Sequence, residues 1–185
     1  MPKKPSISEI RKLLEYDPAT GELTWRPRSV DMFKDDAAMT AEQRCRWWNT
    51  RWANTPAFTA RTTGNYYRGA IWAWQSVAHR VCWAIHYGRW PTGFLDHING
   101  NGLDNRISNL RDVTSRINSR NKKRDIRNKS GVLGVSFESG KWRARIATNE
   151  KKWAHLGFFD TKIEAIAARK KAERENGYHE NNGRH

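Results

Sequence analysis

The C-terminal third of the chain shows the most regular alternation of hydrophobic and polar positions. Three segments with a period of two residues, 132–137, 141–148 and 151–158, are predicted to be β-strands joined by short polar turns. A helix follows, and Thr161 and Glu164 have the spacing of a capping box at its start. Its predicted apolar side contains Ile163, Ala165, Ile166, Ala167, Ala168 and Ala172. The pattern indicates a small module in which one helix packs on a three-stranded antiparallel sheet.

The first half of the chain predicts shorter elements. A capping-box pattern opens a helix predicted over 6–16, and a strand is predicted over 22–25. Residues 66–74 have the aromatic and β-branched content of a strand. A helix is predicted over 77–88, because its apolar residues fall on one stripe and Gly88 stands where a helix ends.

Positive charge dominates the composition. The chain has 34 Lys and Arg against 19 Asp and Glu, a net charge of +15, and its isoelectric point is near 10.3. An excess this one-sided predicts a polyanionic partner, and nucleic acid is the commonest one. Residues 27–60 mix arginines and tryptophans in a polar stretch, and their pattern leaves open a helix, an insertion or a loop that contacts DNA.

Cysteine content and hydropathy exclude several protein classes. Cys45 and Cys82 are far apart and no C-x-x-C pair exists, so neither a zinc ribbon nor a disulfide framework is expected. The sequence contains no apolar stretch of membrane-spanning length and does not start with a secretory leader, which predicts a cytosolic protein. The ten tryptophans are expected to build a small core through their large buried area rather than to stack on bases.

The residues best suited to catalysis lie in the run from Asp96 to Arg111, which is followed by Asn118. Cleaving a phosphodiester requires a nucleophilic water, compensation of negative charge and help for the leaving oxygen. The neutral imidazole of His97 is suited to take a proton from water. One Mg²⁺ ion, held by a carboxylate, an amide oxygen and waters, meets the other needs, and Asp96 and Asn118 supply those oxygens.

Strand geometry complicates this interpretation. Adjacent residues on a flat strand point to opposite faces, which separates the side chains of Asp96 and His97. The glycines around this pair permit a twisted or bulged chain that brings both side chains to one ion. Turn formation rather than metal binding is predicted for Asn99, Asn101 and Asn105. His79 and His86 are predicted to be packing or surface residues.

The segment His79–Asn121 resembles the HNH endonuclease family, and most of all its phage and intron-encoded branch. The resemblance rests on Asp96-His97, on Asn109 twelve residues after His97 and on Asn118 twenty-one residues after it. It implies a ββα-metal finger in which His97 is the general base and Asp96 and Asn118 hold the ion. Asn109 would tie down the loop that aims His97. Asparagine in place of the last histidine favours Mg²⁺, with Mn²⁺ as an alternative, over Zn²⁺.

A basic arm follows the HNH-like segment and marks a predicted domain boundary. Its cationic side chains are expected to bind the phosphates of DNA and are Arg116, Arg120, Lys122, Lys123, Arg124, Arg127 and Lys129. Asp125 is the one acidic residue among them in the sequence.

Residues 130–182 resemble the plant ethylene-response-factor type of DNA-binding domain, in segments such as Gly140–Ile146 and His155–Thr161. The resemblance implies a three-stranded sheet that lies in the major groove of DNA with the helix packed behind it. DNA contacts from the outward face are predicted for Lys141, Arg143, Arg145, Trp153 and His155. Leu133 and Ser136 stand where the plant domains usually have arginines, which implies weaker or different base recognition.

Together these patterns predict a modular α+β DNA endonuclease. It would consist of an N-terminal accessory region (1–65), an HNH nuclease domain (66–122), a basic linker (123–130) and a DNA-binding domain (131–185). The expected activity is Mg²⁺-dependent hydrolysis of double-stranded DNA by a nicking or homing-type phage enzyme, monomeric and acting in the bacterial cytoplasm. The alternatives are a non-catalytic DNA-binding regulator with a degenerate nuclease finger and an RNA-binding or structural nucleoprotein.

Overall fold

The computed structural model describes residues 2–115, 118, 128–148, 153–178 and 182. It divides the chain into two compact units, Met1–Asp112 and Val113–His185. Helices and strands mix in both units, which confirms the predicted α+β class. The finer division into four segments stays a prediction. Every described helix is too short or too polar to span a bilayer.

Three helices and three small antiparallel sheets make up the first unit. The helices are α1 (Ile7–Leu13), α2 (Ala41–Trp52) and α3 (Ala78–Tyr87). The strands are β1 (Leu14–Tyr16), β2 (Leu23–Trp25), β3 (Ala60–Arg61), β4 (Tyr67–Ile71), β5 (Trp74–Val77), β6 (Phe94–His97) and β7 (Leu110–Val113), the last of which reaches the boundary between the units. β1 pairs with β2, β4 pairs with both β3 and β5, and β6 pairs with β7.

The helix predicted over 6–16 is shorter than expected. The predicted capping box is present, but α1 ends at Leu13 and the next three residues form β1. Leu14 is 1 % exposed and pairs with Trp25 across the β1–β2 hairpin. Tertiary pairing with a strand nine residues further along the chain therefore overrides a local pattern that continues the helix.

Residues 27–60 contain a helix, which was one of the three structures that the sequence left open. Thr40 caps α2, and Gln43 completes a capping box, a Thr-x-x-Gln signal that the sequence contains but that was not used to predict the helix. Cys45 is the buried residue of α2, and Trp48 contacts Trp25 edge-to-face with ring centroids 5.9 Å apart. This inner side fastens α2 to the β1–β2 hairpin.

One core joins the predicted accessory region to the predicted nuclease domain. Its buried residues are Ile10, Leu13, Leu14, Leu23, Ala57, Phe58, Ile71, Ala78, Val81, Cys82, Trp83 and Leu110. Several tryptophans pack against it as expected, but Trp47, Trp52, Trp72 and Trp153 are 40 % or more exposed, so the prediction of a tryptophan core is wrong for these four. Aliphatic residues and cysteine supply most of the buried positions instead.

The second unit contains the predicted sheet and helix. β8 (Val135–Glu138), β9 (Lys141–Ala147) and β10 (Trp153–Phe159) form an antiparallel sheet with β9 in the centre. The last helix, α4 (Lys162–Glu175), starts at the predicted capping box of Thr161 and Glu164. Val135, Ala144 and Ala165 form the centre of the core between sheet and helix.

The buried side of α4 differs from the predicted apolar side. Ile163 is 79 % exposed and Ala167 is exposed, whereas Arg169 and Glu173 are 3 % and 5 % exposed. Arg169 Nε donates to Glu173 Oε1 (3.0 Å), and its Nη1 donates to the carbonyl of Arg145 on β9 (2.6 Å). A buried ion pair bound to the sheet therefore sets the rotation of α4, which an apolar stripe does not reveal.

Candidate functional site

The loop between β6 and β7 is held together by the side chain of Asn109, which is 6 % exposed. Its Oδ1 accepts a hydrogen bond from the backbone N–H of Asn99 (2.9 Å), and its Nδ2 donates to the carbonyl of Asp104 (2.8 Å). The N–H of Ile98 also donates to the carbonyl of Asn109 (2.9 Å). One buried amide thus ties the loop that follows His97, in the manner predicted for Asn109, while its part in catalysis stays a prediction.

Asp104 gives the same loop a second anchor. Its carboxylate accepts hydrogen bonds from Nε and Nη2 of Arg106 (2.8 and 2.6 Å) and from Nδ2 of Asn99 (2.7 Å). The bond from Arg106 is the main reason that the pKa of Asp104 is lowered to about 2. A Cβ at position Gly102 would lie 2.6 Å from the carbonyl of Asn65, so close packing of the loop requires glycine there.

His97 ends β6, and only 3 % of its surface is exposed. Its Nε2 lies 3.3 Å from Oδ1 of Asn105. Because an amide oxygen accepts but does not donate, a neutral His97 in this pair carries its proton on Nε2 and its lone pair on Nδ1. The ring also contacts Tyr66 and His79, with centroid separations of 5.6 and 5.1 Å. Three neighbouring side chains therefore orient the imidazole.

His79 is a buried packing residue, which is one of the two roles predicted for it. It lies in the first turn of α3, is 8 % exposed, and its Nδ1 has no hydrogen-bond partner within the described part of the chain. Burial, more than the charges of His97 and Arg80, lowers the pKa of His79 to about 3. His79 is therefore neutral at pH 7 and contributes ring surface rather than charge to the surroundings of His97.

Asp96 precedes His97 on β6, and its described partner is Arg111 on β7. Nε and Nη2 of Arg111 donate to Asp96 Oδ2 at 3.0 and 2.7 Å. The Asp96 side chain is 10 % exposed and that of Arg111 is 22 % exposed, so the pair is mostly shielded from solvent.

The boundary between the two units separates Asn118 from Asp96 and His97. Asn118 is half-buried on a helical turn, where its backbone N–H donates to the carbonyl of Thr114 (3.0 Å). Its pairing with Asp96 around one ion stays a prediction. In the predicted basic arm, Lys129 is exposed. The other arm residues lie outside the described residues and are Arg116, Arg120, Lys122, Lys123, Arg124 and Arg127.

Donor chemistry tests whether the predicted ligands suit a metal ion. Within the described ranges, no group of three or more His, Cys, Asp and Glu side chains is placed to hold one. Mg²⁺ needs few protein ligands, because it keeps several of its waters and takes hard oxygen donors such as carboxylates. Asp96 and Asn118 offer a carboxylate and an amide oxygen, hard donors that suit Mg²⁺ better than Zn²⁺.

The N-terminal hairpin supports the loop from outside the HNH-like segment. Tyr16 Oη donates to the carbonyl of Asn105 (2.7 Å), and the N–H of Ile107 donates to the carbonyl of Pro18 (3.1 Å). Gly21 has φ +84°, and a Cβ there would lie 2.5 Å from the backbone nitrogen of Arg106. The β1–β2 turn therefore packs directly on the residues that orient His97.

The outward face of the C-terminal sheet contains the residues predicted for it. Arg143 and Arg145 alternate on β9 with Ala144 and Ile146, which are fully buried towards α4. Opposite them on β10, His155 pairs with Arg145. The guanidinium of Arg145 lies 4.8 Å from the ring centroid of exposed Trp153, and Arg143 Nη1 donates to Glu138 (2.9 Å). Lys141 also lies on this face, 3.2 Å from Asp160.

Sequence reasoning missed four residues that surround His97 or Asp96. Asn105 was predicted to be only a turn former, and Tyr16, Tyr66 and Arg111 received no role. Tyr16 is 89 residues from Asn105, and no local pattern connects them. For Arg111 a signal existed, since it is a basic residue within the same run as Asp96 and could pair with a buried carboxylate.

Comparisons with known proteins support the HNH resemblance. Residues 76–120 match the model of a family described as HNH endonuclease, and this match contains Asp96, His97, Asn109 and Asn118. The chain is also 35 % identical over 77 residues to Protein 3.8 of Escherichia phage T7. The aligned part is 40 % of this chain and 64 % of that protein, so the chain spans less than two thirds of the relative's length. No solved structure matches.

Proposed function

We propose that the chain is a metal-dependent DNA endonuclease that hydrolyses phosphodiester bonds through His97. The observation that carries this proposal is the oriented imidazole of His97 within a segment that matches the HNH endonuclease family. The surplus of basic residues supports DNA as the substrate, because a polyanion compensates a net charge of +15. Relatedness to a phage protein supports a phage origin, and with it action in the cytoplasm of a bacterial host, as a homing or nicking enzyme.

His97 acts as the general base in this proposal. Asn105 Oδ1 accepts a hydrogen bond from Nε2 in the tautomer that is protonated there, and in that tautomer Nδ1 is the basic nitrogen that would take the proton of the attacking water. Tyr66 and His79 hold the ring plane, and Asn109 holds the loop behind it. Tyr66 covers one side of the ring and is itself 37 % exposed, so water and a phosphate would approach the ring from this side.

Asp96 and Asn118 are the residues that would hold a divalent cation, with Mg²⁺ preferred and Mn²⁺ as an alternative. When bound, such an ion supplies positive charge to the phosphate and to the leaving oxygen. Arg111 meanwhile compensates the charge of the Asp96 carboxylate and fixes its position on β6.

Supercoiled plasmid incubated with the full chain and an excess of Mg²⁺ tests the proposal. Nicked or linear product is expected with Mg²⁺ or Mn²⁺, and little or none with EDTA. Double-stranded RNA offered in place of the plasmid should not be cleaved. Intact plasmid in the presence of both metals, with binding retained, contradicts the nuclease function.

The second unit serves as the DNA-targeting module in this proposal, laying the outward face of β8–β10 against duplex DNA. Arg143→Ala/Arg145→Ala is expected to reduce cleavage at preferred sites of phage or host DNA by about tenfold or more, because an arginine that reads a base contributes about 1–3 kcal/mol of discrimination. Cleavage of short random duplexes should change little. Mapping the DNA ends by sequencing measures both quantities.

Lys171→Ala/Arg174→Ala is the matched control for that experiment, since both residues are exposed on α4 and the same charge is removed. Its cutting pattern should equal that of the unmodified chain. A pattern that is unchanged in the Arg143 and Arg145 variant, or equally altered in the control, contradicts targeting by the sheet face.

A non-catalytic DNA-binding regulator is the second candidate function. Two observations favour it: His97 is 3 % exposed, and Asp96 is already paired with Arg111. A base that water cannot reach and a carboxylate committed to an arginine are what a degenerate nuclease finger would contain. DNA binding without cleavage in any divalent metal is the outcome that this candidate predicts.

A further inference from the structure

We propose that the outer side of α2 is a DNA-binding surface of the first unit. It would bind the backbone of duplex DNA at a place distant from the phosphate that is cleaved. This α2 face consists of Gln43, Arg46, Trp47, Thr50 and Arg51. The inference rests on the proposed function for the identity of the partner, and it assigns a role to a segment for which the sequence left three structures open.

The five residues of the α2 face form one continuous strip along the surface of the helix. At 3.6 residues per turn they cover an arc of about 140° around the helix, with Trp47 between Arg46 and Arg51. All five are exposed, Trp47 by 52 %, and they line a shallow pocket of about 580 Å³. The guanidinium of Arg51 lies 5.8 Å from the ring centroid of Trp47. The strip thus combines cations, hydrogen-bond donors and a flat aromatic surface.

Folding of α2 does not need this strip. The opposite side of the helix already anchors it, since Asn49 exchanges two hydrogen bonds with the backbone of Arg28, both at 2.8 Å. The guanidinium of Arg28 lies 3.8 Å from the ring centroid of Trp48, which in turn contacts Trp25. Burial would stabilise an exposed tryptophan, so Trp47 beside two arginines points to a partner that covers it.

The strip is fixed to the core that also supports His97. Behind α2 the chain pairs with β2, where Asn54 N–H donates to the carbonyl of Trp25 (2.7 Å) and Ala57 N–H donates to the carbonyl of Leu23 (2.7 Å). Leu23 and Ala57 belong to the same buried cluster as Leu110 at the start of β7. DNA bound to the α2 face would therefore keep a fixed position relative to the core of the first unit.

The chemistry of the strip matches a phosphate backbone. Arginine, glutamine and threonine side chains all donate hydrogen bonds to phosphate oxygens. The strip contains two guanidinium groups and no carboxylate. Of the carboxylates near it, Asp36 is paired with Arg44, and exposed Glu42 lies one helical turn before Arg46.

A second copy of the chain is a poorer occupant. A standard protein interface uses about 20–30 residues on each side, several times the number in the strip. In a symmetric dimer the same patch would face itself, which places Arg46 and Arg51 against their own like charges. The net charge of +15 opposes such an approach further.

Fluorescence anisotropy of a labelled duplex in EDTA, at salt concentrations from 50 to 200 mM, tests the inference without requiring cleavage. Arg46→Ala/Arg51→Ala is expected to reduce the slope of log affinity against log salt by about 1.8, since each lost phosphate contact removes about 0.9. Lys3→Ala/Lys12→Ala is the matched control, because both lysines are exposed in the same unit and the same charge is lost. Its slope should stay within about 0.5 of the unmodified value.

Arg46→Lys/Arg51→Lys keeps the charge and is expected to restore most of the slope, which separates a binding role from a folding role. If the unmodified chain does not bind the duplex, the proposed function fails. If it binds, and the alanine variant and the control have equal slopes, the α2 face is refuted while the proposed function stands. Dimers in sedimentation that dissociate in the alanine variant would also refute it, in favour of a protein partner.

Discussion

His97→Ala is expected to lower the single-turnover rate of DNA cleavage by about 10²–10⁴-fold, the usual contribution of a positioned general base. The substitution removes the ring nitrogen proposed to take the proton of water, while Asp96, Arg111 and the basic surfaces remain. Binding of duplex DNA in EDTA should therefore be unchanged. Single-turnover cleavage with Mg²⁺, measured beside anisotropy in EDTA, separates the two effects.

Because His97 is 3 % exposed, its loss also leaves a cavity. Added imidazole can occupy such a cavity and is expected to recover part of the cleavage rate, whereas a lost packing contact would not be recovered as activity. His86→Ala is the control: His86 is exposed on α3 and contacts the edges of Tyr16 and Tyr87. Equal rates in both histidine variants would refute the assignment of His97 as the base.

Elements whose signals are local were predictable from the sequence. The capping boxes at Ser6 and Thr161, the end of α3 at Gly88 and the alternation of Ala144 with Arg145 each depend on residues a few positions apart. These signals reflect backbone hydrogen bonds and solvent exposure, which neighbouring residues largely determine. They predict the α+β class and the outward face of the C-terminal sheet.

Features that depend on distant contacts were not predictable. Nothing in the first helical pattern shows that Leu14 pairs with Trp25 instead of continuing α1. The bond from Tyr16 to the carbonyl of Asn105 joins residues at opposite ends of the first unit's sequence. The candidate site shows the same division, since Asn109 was predicted from motif spacing to tie the loop, whereas Tyr66 and Asn105, which contact His97, were not predicted to do so.

The pair of Asp96 and Arg111 leads to the largest expected effect on stability. Arg111→Ala should lower the free energy of unfolding by about 2–3 kcal/mol, less than the 3–5 kcal/mol typical of a fully buried pair because Arg111 is 22 % exposed. The loss arises mainly because the guanidinium that donates two hydrogen bonds to the shielded carboxylate of Asp96 is removed. Adding Asp96→Asn to Arg111→Ala should therefore recover part of the stability, as measured by urea unfolding at pH 7.

Glu15→Gln serves as the control for this double-mutant cycle, because it breaks an exposed ion pair with Arg26 at 3.7 Å and should lower the free energy of unfolding by less than about 1 kcal/mol.

The same variants of Asp96 and Arg111 also test metal binding. A cation at Asp96 supplies the charge that Arg111 otherwise provides, so Mg²⁺ should raise the melting temperature of Arg111→Ala more than that of the unmodified chain. The increase should disappear when Asp96→Asn is added. If Mg²⁺ has the same effect on all three proteins, Asp96 is a structural partner of Arg111 and not a metal ligand.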